Sequence, residues 1–287
     1  MEIRKNYVPY KGFKYSYRKK LSNRIKRGKI MRVAPLDKSL EPIFWEYVKR
    51  DVPNYFFFIY DWKYNRDETE VLLALEGDKI EGMMLIYRKS IVQLRGNRRA
   101  VEMLLEKLNL EKVELQAPEE YTQQIIRKYR PVMSQKLILM TLERGQENLQ
   151  IKHLVVKLGV SDAERVAALM RSADPVYWGT VTAQQIVEGM KRASWFGIKV
   201  NGEIASIGSM LLTDWAGLIG VVATDKNYRR RGYATSVVSE IAKRILEKLP
   251  LAMIYVLGSN LPAIRVYEKV GFKQYRAYFF MKMGERR

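Results

Sequence analysis

Apolar positions along this chain follow two rhythms, and the same succession of rhythms occurs twice. Val71–Tyr87 reads as two strands about a Gly-Asp turn, and Trp195–Leu212 reads as two strands about an Asn-Gly turn, a strong hairpin signal. Val101–Leu108 answers Val238–Leu249: both carry apolar residues at helical spacing, and both end in Glu-Lys-Leu. Tyr121–Pro131 then answers Ala263–Phe272, so three elements recur in one order and point to a divergent duplication. The second copy is longer between hairpin and helix, where Trp215–Thr224 and a basic turn intervene. The polar stretch 143–150 predicts a linker, with a basic arm over 1–32, one domain over 33–142 and another over 151–287.

In the second domain the pattern predicts a strand at 151–157 and a helix at 161–170, where Ser161 and Glu164 have capping-box spacing. A short helix follows at 182–190, capped by Thr182. Strands are predicted at 195–200, 204–212, 216–224, 251–257 and 275–283, with helices at 232–248 and 261–269. Helices set between strands give a mixed α/β sheet covered on its faces. Phe44–Val48 and the run Tyr55–Tyr60 suit buried or inter-domain packing.

Composition narrows the chemistry. Hydrophobic residues make up 47% of 287, enough for real cores. With no Cys and a single histidine, His153, thiolate nucleophiles, zinc sites and His-based triads are disfavoured, and no metal is expected. No apolar run has the length of a membrane span, and no apolar signal core follows the basic start, so a cytoplasmic protein is expected. The net charge of +20 is concentrated partly in the arm, where Lys19, Lys20, Arg24, Lys26, Arg27 and Lys29 alternate with Tyr7, Tyr10, Phe13, Tyr15 and Tyr17. Basic groups mixed with aromatic rings suit contact with nucleic acid.

The most informative stretch is Val222–Thr235, a strand end, a basic turn and a helix start. The first turn of a helix has amide groups without intrahelical partners and a partial positive charge. Gly232 lets those donors approach an anion, and Arg229, Arg230 and Arg231 add forked cationic donors beside them. Neither a P-loop nor a G-x-G-x-x-G fingerprint is present, so the phosphorylated ligand is of another kind.

On Arg229-Arg230-Arg231-Gly232-Tyr233-Ala234, which matches R/Q-x-x-G-x-G/A, and on Asn260–Phe272, the segment from about 150 to 285 resembles the GNAT superfamily of acetyl-CoA-dependent N-acetyltransferases. The resemblance implies a GNAT-like mixed, mostly antiparallel central sheet flanked by helices, here duplicated. It implies acetyl-CoA as cosubstrate, with Val222, Ala223 and Thr224 beside the pantetheine arm. Residues Arg230 to Thr235, with Arg229 adjoining, become the pyrophosphate turn, and Asn260 and Ala263 flank the cofactor. Tyr267 becomes the acid that protonates the departing thiolate. The acceptor is an amine on a small molecule or protein, and its base is left open among Asp174, Glu188, Asp214 and Asp225. Tyr177, Trp178 and Tyr278 are candidate walls of its slot. The first copy has Arg98 where the motif has glycine, which implies a degenerate domain without cofactor. The alternative is a non-catalytic acyl-CoA-binding regulator, or an RNA-associated protein on the same scaffold.

Overall fold

The computed structural model describes residues 30–286; the basic arm and its candidate nucleic-acid contact lie, up to residue 29, outside them. Each half has the same element order, apart from one extra short helix, of residues Pro175–Trp178, in the second. The first runs β1 (Met31–Pro35), α1 (Glu41–Val48), α2 (Val52–Tyr64), β2 (Thr69–Glu76), β3 (Lys79–Tyr87), β4 (Ile91–Gly96), α3 (Arg98–Lys107), β5 (Glu114–Pro118), α4 (Thr122–Lys128) and β6 (Tyr129–Glu143). The second runs β7 (Val156–Leu158), α5 (Ala163–Ala173), α6 (Pro175–Trp178), α7 (Ala183–Arg192), β8 (Ser194–Val200) and β9 (Glu203–Leu212). It continues with β10 (Gly217–Thr224), α8 (Tyr233–Lys248), β11 (Leu251–Leu257), α9 (Leu261–Val270) and β12 (Lys273–Arg286). The duplicated, mixed α/β design read from the sequence is the observed one.

Local chemistry explains most boundaries. Asn201 and Gly202 both take positive φ, as the two-residue turn between β8 and β9 demands. Thr182 and Gln185 form a reciprocal capping box at the start of α7. The box expected from Ser161 and Glu164 does not form. Asp162 instead accepts from Gly159 N, while Glu164 pairs with Arg171, so α5 starts two residues late. Strand β7 is also shorter than expected, because residues 151–155 run along α8 rather than along β8.

All strands join one twelve-stranded sheet among the described residues, in the order β1-β2-β3-β4-β5-β12-β6-β11-β10-β9-β8-β7. Pairing is antiparallel except for β4 with β5 and β10 with β11. The order shows an exchange. Strand β6, the last of the first half, lies against β11, and β12, the last of the second, lies against β5. The two exchanged strands pair with each other at the centre. Each half therefore closes its sheet with a strand from the other.

Helix α2 sits between the halves. Its residues Phe58 and Ile59 pack with α1 and the first half's sheet, while Phe56 and Tyr60 pack against Leu218 and Met253 of the second. The run Tyr55–Tyr60 is apolar all round because the helix is covered all round. At its C-terminal end Tyr60 donates to Arg192 O at 3.0 Å, and Lys63 pairs with Asp214 at 2.6 Å. Arg192 in turn reaches back to Glu68 at 2.8 Å and to the Tyr87 hydroxyl.

Asp61 lies in this junction at 6% exposure. Burial pushes its carboxyl up to about 6, against the opposing bond from Asn65 Nδ2 at 2.8 Å. The native state thus holds a proton there that the unfolded chain releases near 4, so stability falls as pH rises from about 4 to 6. Asp61→Asn is expected to stabilise the chain by up to about 3 kcal/mol at pH 7.5 and to make no such difference near pH 3.5, as measured by denaturant unfolding. Phe56→Ala is expected to cost about 3–5 kcal/mol. Because α2 serves both halves, near-UV and far-UV circular dichroism should still report one coincident transition in that variant.

Candidate active site

The site forms where β10 and β11 part. Their parallel pairing covers only Gly217–Ile219 with Ala252–Ile254, after which the strands diverge. On its other side β10 stays paired with β9, through a bulge between Ile219 and Val222. Ser209 builds that bulge: its hydroxyl accepts from Val221 N at 2.9 Å, and a Cβ on Gly220 would stand 2.5 Å from the same oxygen. Ser206 then fixes the strand end, bonding Ala223 O at 3.1 Å and Thr224 Oγ1 at 2.9 Å. Val222, Ala223 and Thr224 are left half-buried, without a partner strand on the β11 side. Neither serine stood out in the sequence, because a hydroxyl that replaces a strand bond has no periodic signature.

The turn that follows is shaped by its own side chains. Asp225 accepts from Asn227 N at 2.9 Å, and Arg229 bridges Thr224 O and Ala173 O at 3.3 and 3.2 Å. Arg230 and Gly232 both adopt left-handed backbone, with φ of 64° and 83°. Alternation of this kind turns successive amides to one side as an anion-binding concavity. A Cβ on Gly232 would meet only His153 Nε2, at 3.8 Å, so glycine is needed here for φ and not for lack of room. No side chain caps α8 at Gly232, and the amides of Tyr233, Ala234 and Thr235 precede the first intrahelical acceptor.

On the other side of the gap, Asn260 caps α9, accepting from Ala263 N at 3.2 Å. Its carbonyl is thereby occupied, and only its amide NH2 is left as a donor to a ligand. Tyr267 of α9 is 5% exposed and belongs to the same packed cluster as Val222, Tyr233 and Ala263. The two sequence motifs therefore meet in space. Burial pushes the Tyr267 phenol above its ordinary value, which keeps it protonated, and its hydroxyl bonds to no group among the described residues.

The four candidate carboxylates separate. Asp214 precedes β10, at the end away from the gap, and pairs with Lys63. Glu188 bonds Lys191 at 2.7 Å, and that bond holds its carboxyl below the usual range. Asp174 and Asp225 stand at the open end, both already accepting backbone amides. Tyr177 lies over there as well, with Lys282 Nζ 5.3 Å from its ring, while Trp178 packs among α5 and α7. Tyr278 is no part of an acceptor slot: it is fully buried, donates to Asn54 Oδ1 at 2.7 Å, and lies 4.3 Å beneath Arg95.

Arg95 explains the first half. There β4 and β5 also part after three pairs, but the gap is filled. The Arg95 guanidinium is 1% exposed and donates to Asn54 O, Leu94 O, Gln93 Oε1 and both oxygens of Gln116. Arg95 pairs with Met83 as Ala223 pairs with Ile207, so a methyl group stands in the second half where a guanidinium stands in the first. Helix α3 is closed as well, since Asn97 caps its own Ala100 N at 3.0 Å. Arg98, which the sequence marked as the obstruction, is exposed and bonds Glu102 at 3.2 Å; the plug is Arg95. Two cavities of about 460 and 580 Å³ are lined by Tyr60, Tyr64 and Arg192, and by Ile91, Val132 and Lys282, and neither touches the β10–β11 gap.

Residues 196–281 match the family model described as FR47-like protein. Among curated protein sequences none matches the chain. In three dimensions the chain resembles a Drosophila protein at 12% identity, with a TM-score of 0.69, covering 89% of this chain and 99% of that one. It resembles a tandem GNAT protein from the clavulanic acid biosynthesis pathway at 12% identity, TM-score 0.52, with 88% and 98% covered. A putative acetyltransferase of the GNAT family from Novosphingobium aromaticivorans is similar at 18% identity, TM-score 0.54, over 70% of this chain and 88% of its own. The matched segment runs from β8 to β12 and contains both halves of the gap with the turn between them, and the fold of the chain is the one seen in these GNAT structures, here in tandem.

Proposed function

We propose that the chain is an N-acetyltransferase that moves an acetyl group from acetyl-CoA to a primary amine, using its second half alone. One observation carries this reading: the second half has an uncapped helix start beside an open strand gap, and the first half has both closed. Acetyl-CoA fits the residues present. Its pyrophosphate needs amide donors with positive charge close by, and the turn from Arg229 to Thr235 supplies both. Its pantetheine arm carries amides that suit a strand edge, and Val222 and Thr224 offer one.

The transfer itself asks little of the protein beyond placement and proton control. The neutral amine attacks the thioester carbonyl, the C–N bond forms, and the C–S bond breaks. Backbone donors of β10 beyond Ile219 face the oxygen on which negative charge grows. Tyr267 gives its proton to the leaving sulfur, and its raised phenol keeps that proton available at neutral pH. The proton lost by the amine passes to water or to Asp174 or Asp225 at the open end. The acceptor is an amine on a small molecule or a protein.

Calorimetric titration with acetyl-CoA is expected to show one site per chain. Gly232→Trp, which forces a bulky L-residue into a φ of 83°, should weaken that binding at least tenfold. Loss of binding in neither protein, or binding in neither, would contradict the assignment. Tyr267→Phe should lower the rate of transfer about 100-fold or more with affinity for acetyl-CoA nearly unchanged. A regulator that only binds acyl-CoA would show the affinity and no transfer at all in the parent protein.

A further inference from the structure

The chain between the halves, residues 144–155, is neither strand nor helix, yet it is stitched down along its length. Arg144 N bonds Pro250 O at 3.0 Å and Asn148 N bonds Val270 O at 2.8 Å. It then follows α8 toward that helix's N-terminus. Gln150 N donates to Ser239 Oγ at 3.0 Å and Lys152 N to Ser236 Oγ at 3.1 Å, while Ser236 Oγ returns a bond to Gln150 O. Both serines are fully covered on α8, where a buried hydroxyl requires such a partner. The next residue is His153.

His153 Nε2 lies 3.0 Å from Arg231 O. A carbonyl oxygen only accepts, so Nε2 carries the hydrogen and donates it. The ring also lies against Tyr233, the first residue of α8, at 4.4 Å between centroids and tilted by 55°. The consequence follows from the planarity of a trans peptide, whose C=O and N–H point to opposite sides. With the Arg231 carbonyl held toward His153, the Gly232 amide is turned to the opposite side, away from the ring. The same bond keeps an oxygen dipole from rotating toward a bound anion. Because Arg230 and Gly232 are both left-handed, the turn has no regular ladder of its own to hold this orientation.

We infer that His153 is a positioning residue for the pyrophosphate of the cosubstrate, acting on it through the Arg231–Gly232 peptide and not by touching it. The inter-half connector is thus part of the cosubstrate site. This rests on the acetyl-CoA reading above. His153 supplies one directed hydrogen bond and one ring contact, and the two can be separated by substitution. Phenylalanine retains the ring against Tyr233 and removes the donor, whereas glutamine restores an N–H donor without the ring.

The test uses the full chain and three probes: acetyl-CoA, ADP, which has the pyrophosphate without the arm, and S-acetylpantetheine, which has the arm without phosphate. In His153→Ala and His153→Phe, affinity for acetyl-CoA and ADP is expected to fall about five- to tenfold, the scale of one lost directed bond. S-acetylpantetheine should bind as to the parent protein, and His153→Gln should recover most of the loss. Unchanged acetyl-CoA affinity in His153→Ala, or equal weakening of S-acetylpantetheine, overturns the inference while leaving the acetyltransferase reading intact. A parent protein that binds no acetyl-CoA overturns both.

Discussion

The pairing of β6 with β12 is the constraint on which the rest of this molecule depends. Neither strand lies in the half that precedes it in sequence, and each completes the other's sheet. A strand gap can open between β10 and β11 because β11 is held on its far side by β6, over seven residue pairs from Leu251 to Leu257. The parting strand, β10, is held by β9 through its bulge. Opening a sheet exposes backbone donors and acceptors, and the structure accepts this only where the flanking strands are fully engaged. Helix α2 adds a second tie, since its apolar faces are shared between the two cores. The halves are best regarded as one cooperative body with two pseudo-equivalent gaps.

What differs between those gaps is how the parted backbone is satisfied. In the first half a guanidinium donates all its hydrogens to carbonyl and amide oxygens around it, and no carboxylate is among those partners. A buried cation is tolerated there because every N–H is bonded and the rings of Phe58 and Tyr278 lie under it. In the second half the corresponding residue is Ala223, whose methyl group brings no such donor into the gap. The helix starts differ in the same sense: Asn97 closes one and Gly232 leaves the other open. One half has internalised bonds that the other leaves open. That contrast favours a single working site, with the first half acting as scaffold for β12 and α2.

Much of this could be read from residue patterns, and the limits are instructive. The hairpins about Gly77 and Asn201-Gly202, helices α3 and α8, and the Thr182 cap follow from spacing and turn chemistry within a dozen residues. The turn from Arg229 to Thr235 and the helix bearing Tyr267 were legible for the same reason, since a basic turn with glycine at a helix start is a local device. The Ser161–Glu164 spacing misled because Asp162 reaches back to Gly159 N and sets the first turn upstream of Ser161. Arg98 drew attention as the obstruction because it occupies the motif position, yet Arg95 fills the gap from a strand position that alternation alone reads as ordinary. Tyr278 was placed in the wrong half, since nothing near it reveals that β12 crosses over.

Periodicity, turn residues and the basic glycine turn by themselves determined which elements form, that they form twice, and where the uncapped helix start lies. Which strand closes which half, which of the two gaps is filled, and that His153 stands behind the turn were decided only in the tertiary structure. The physical reason is that local propensity acts over neighbouring residues, whereas these three outcomes depend on partners far apart in the chain. His153 meets Arg231 and Arg95 lies over Tyr278 only after the exchanged strands have locked the halves together.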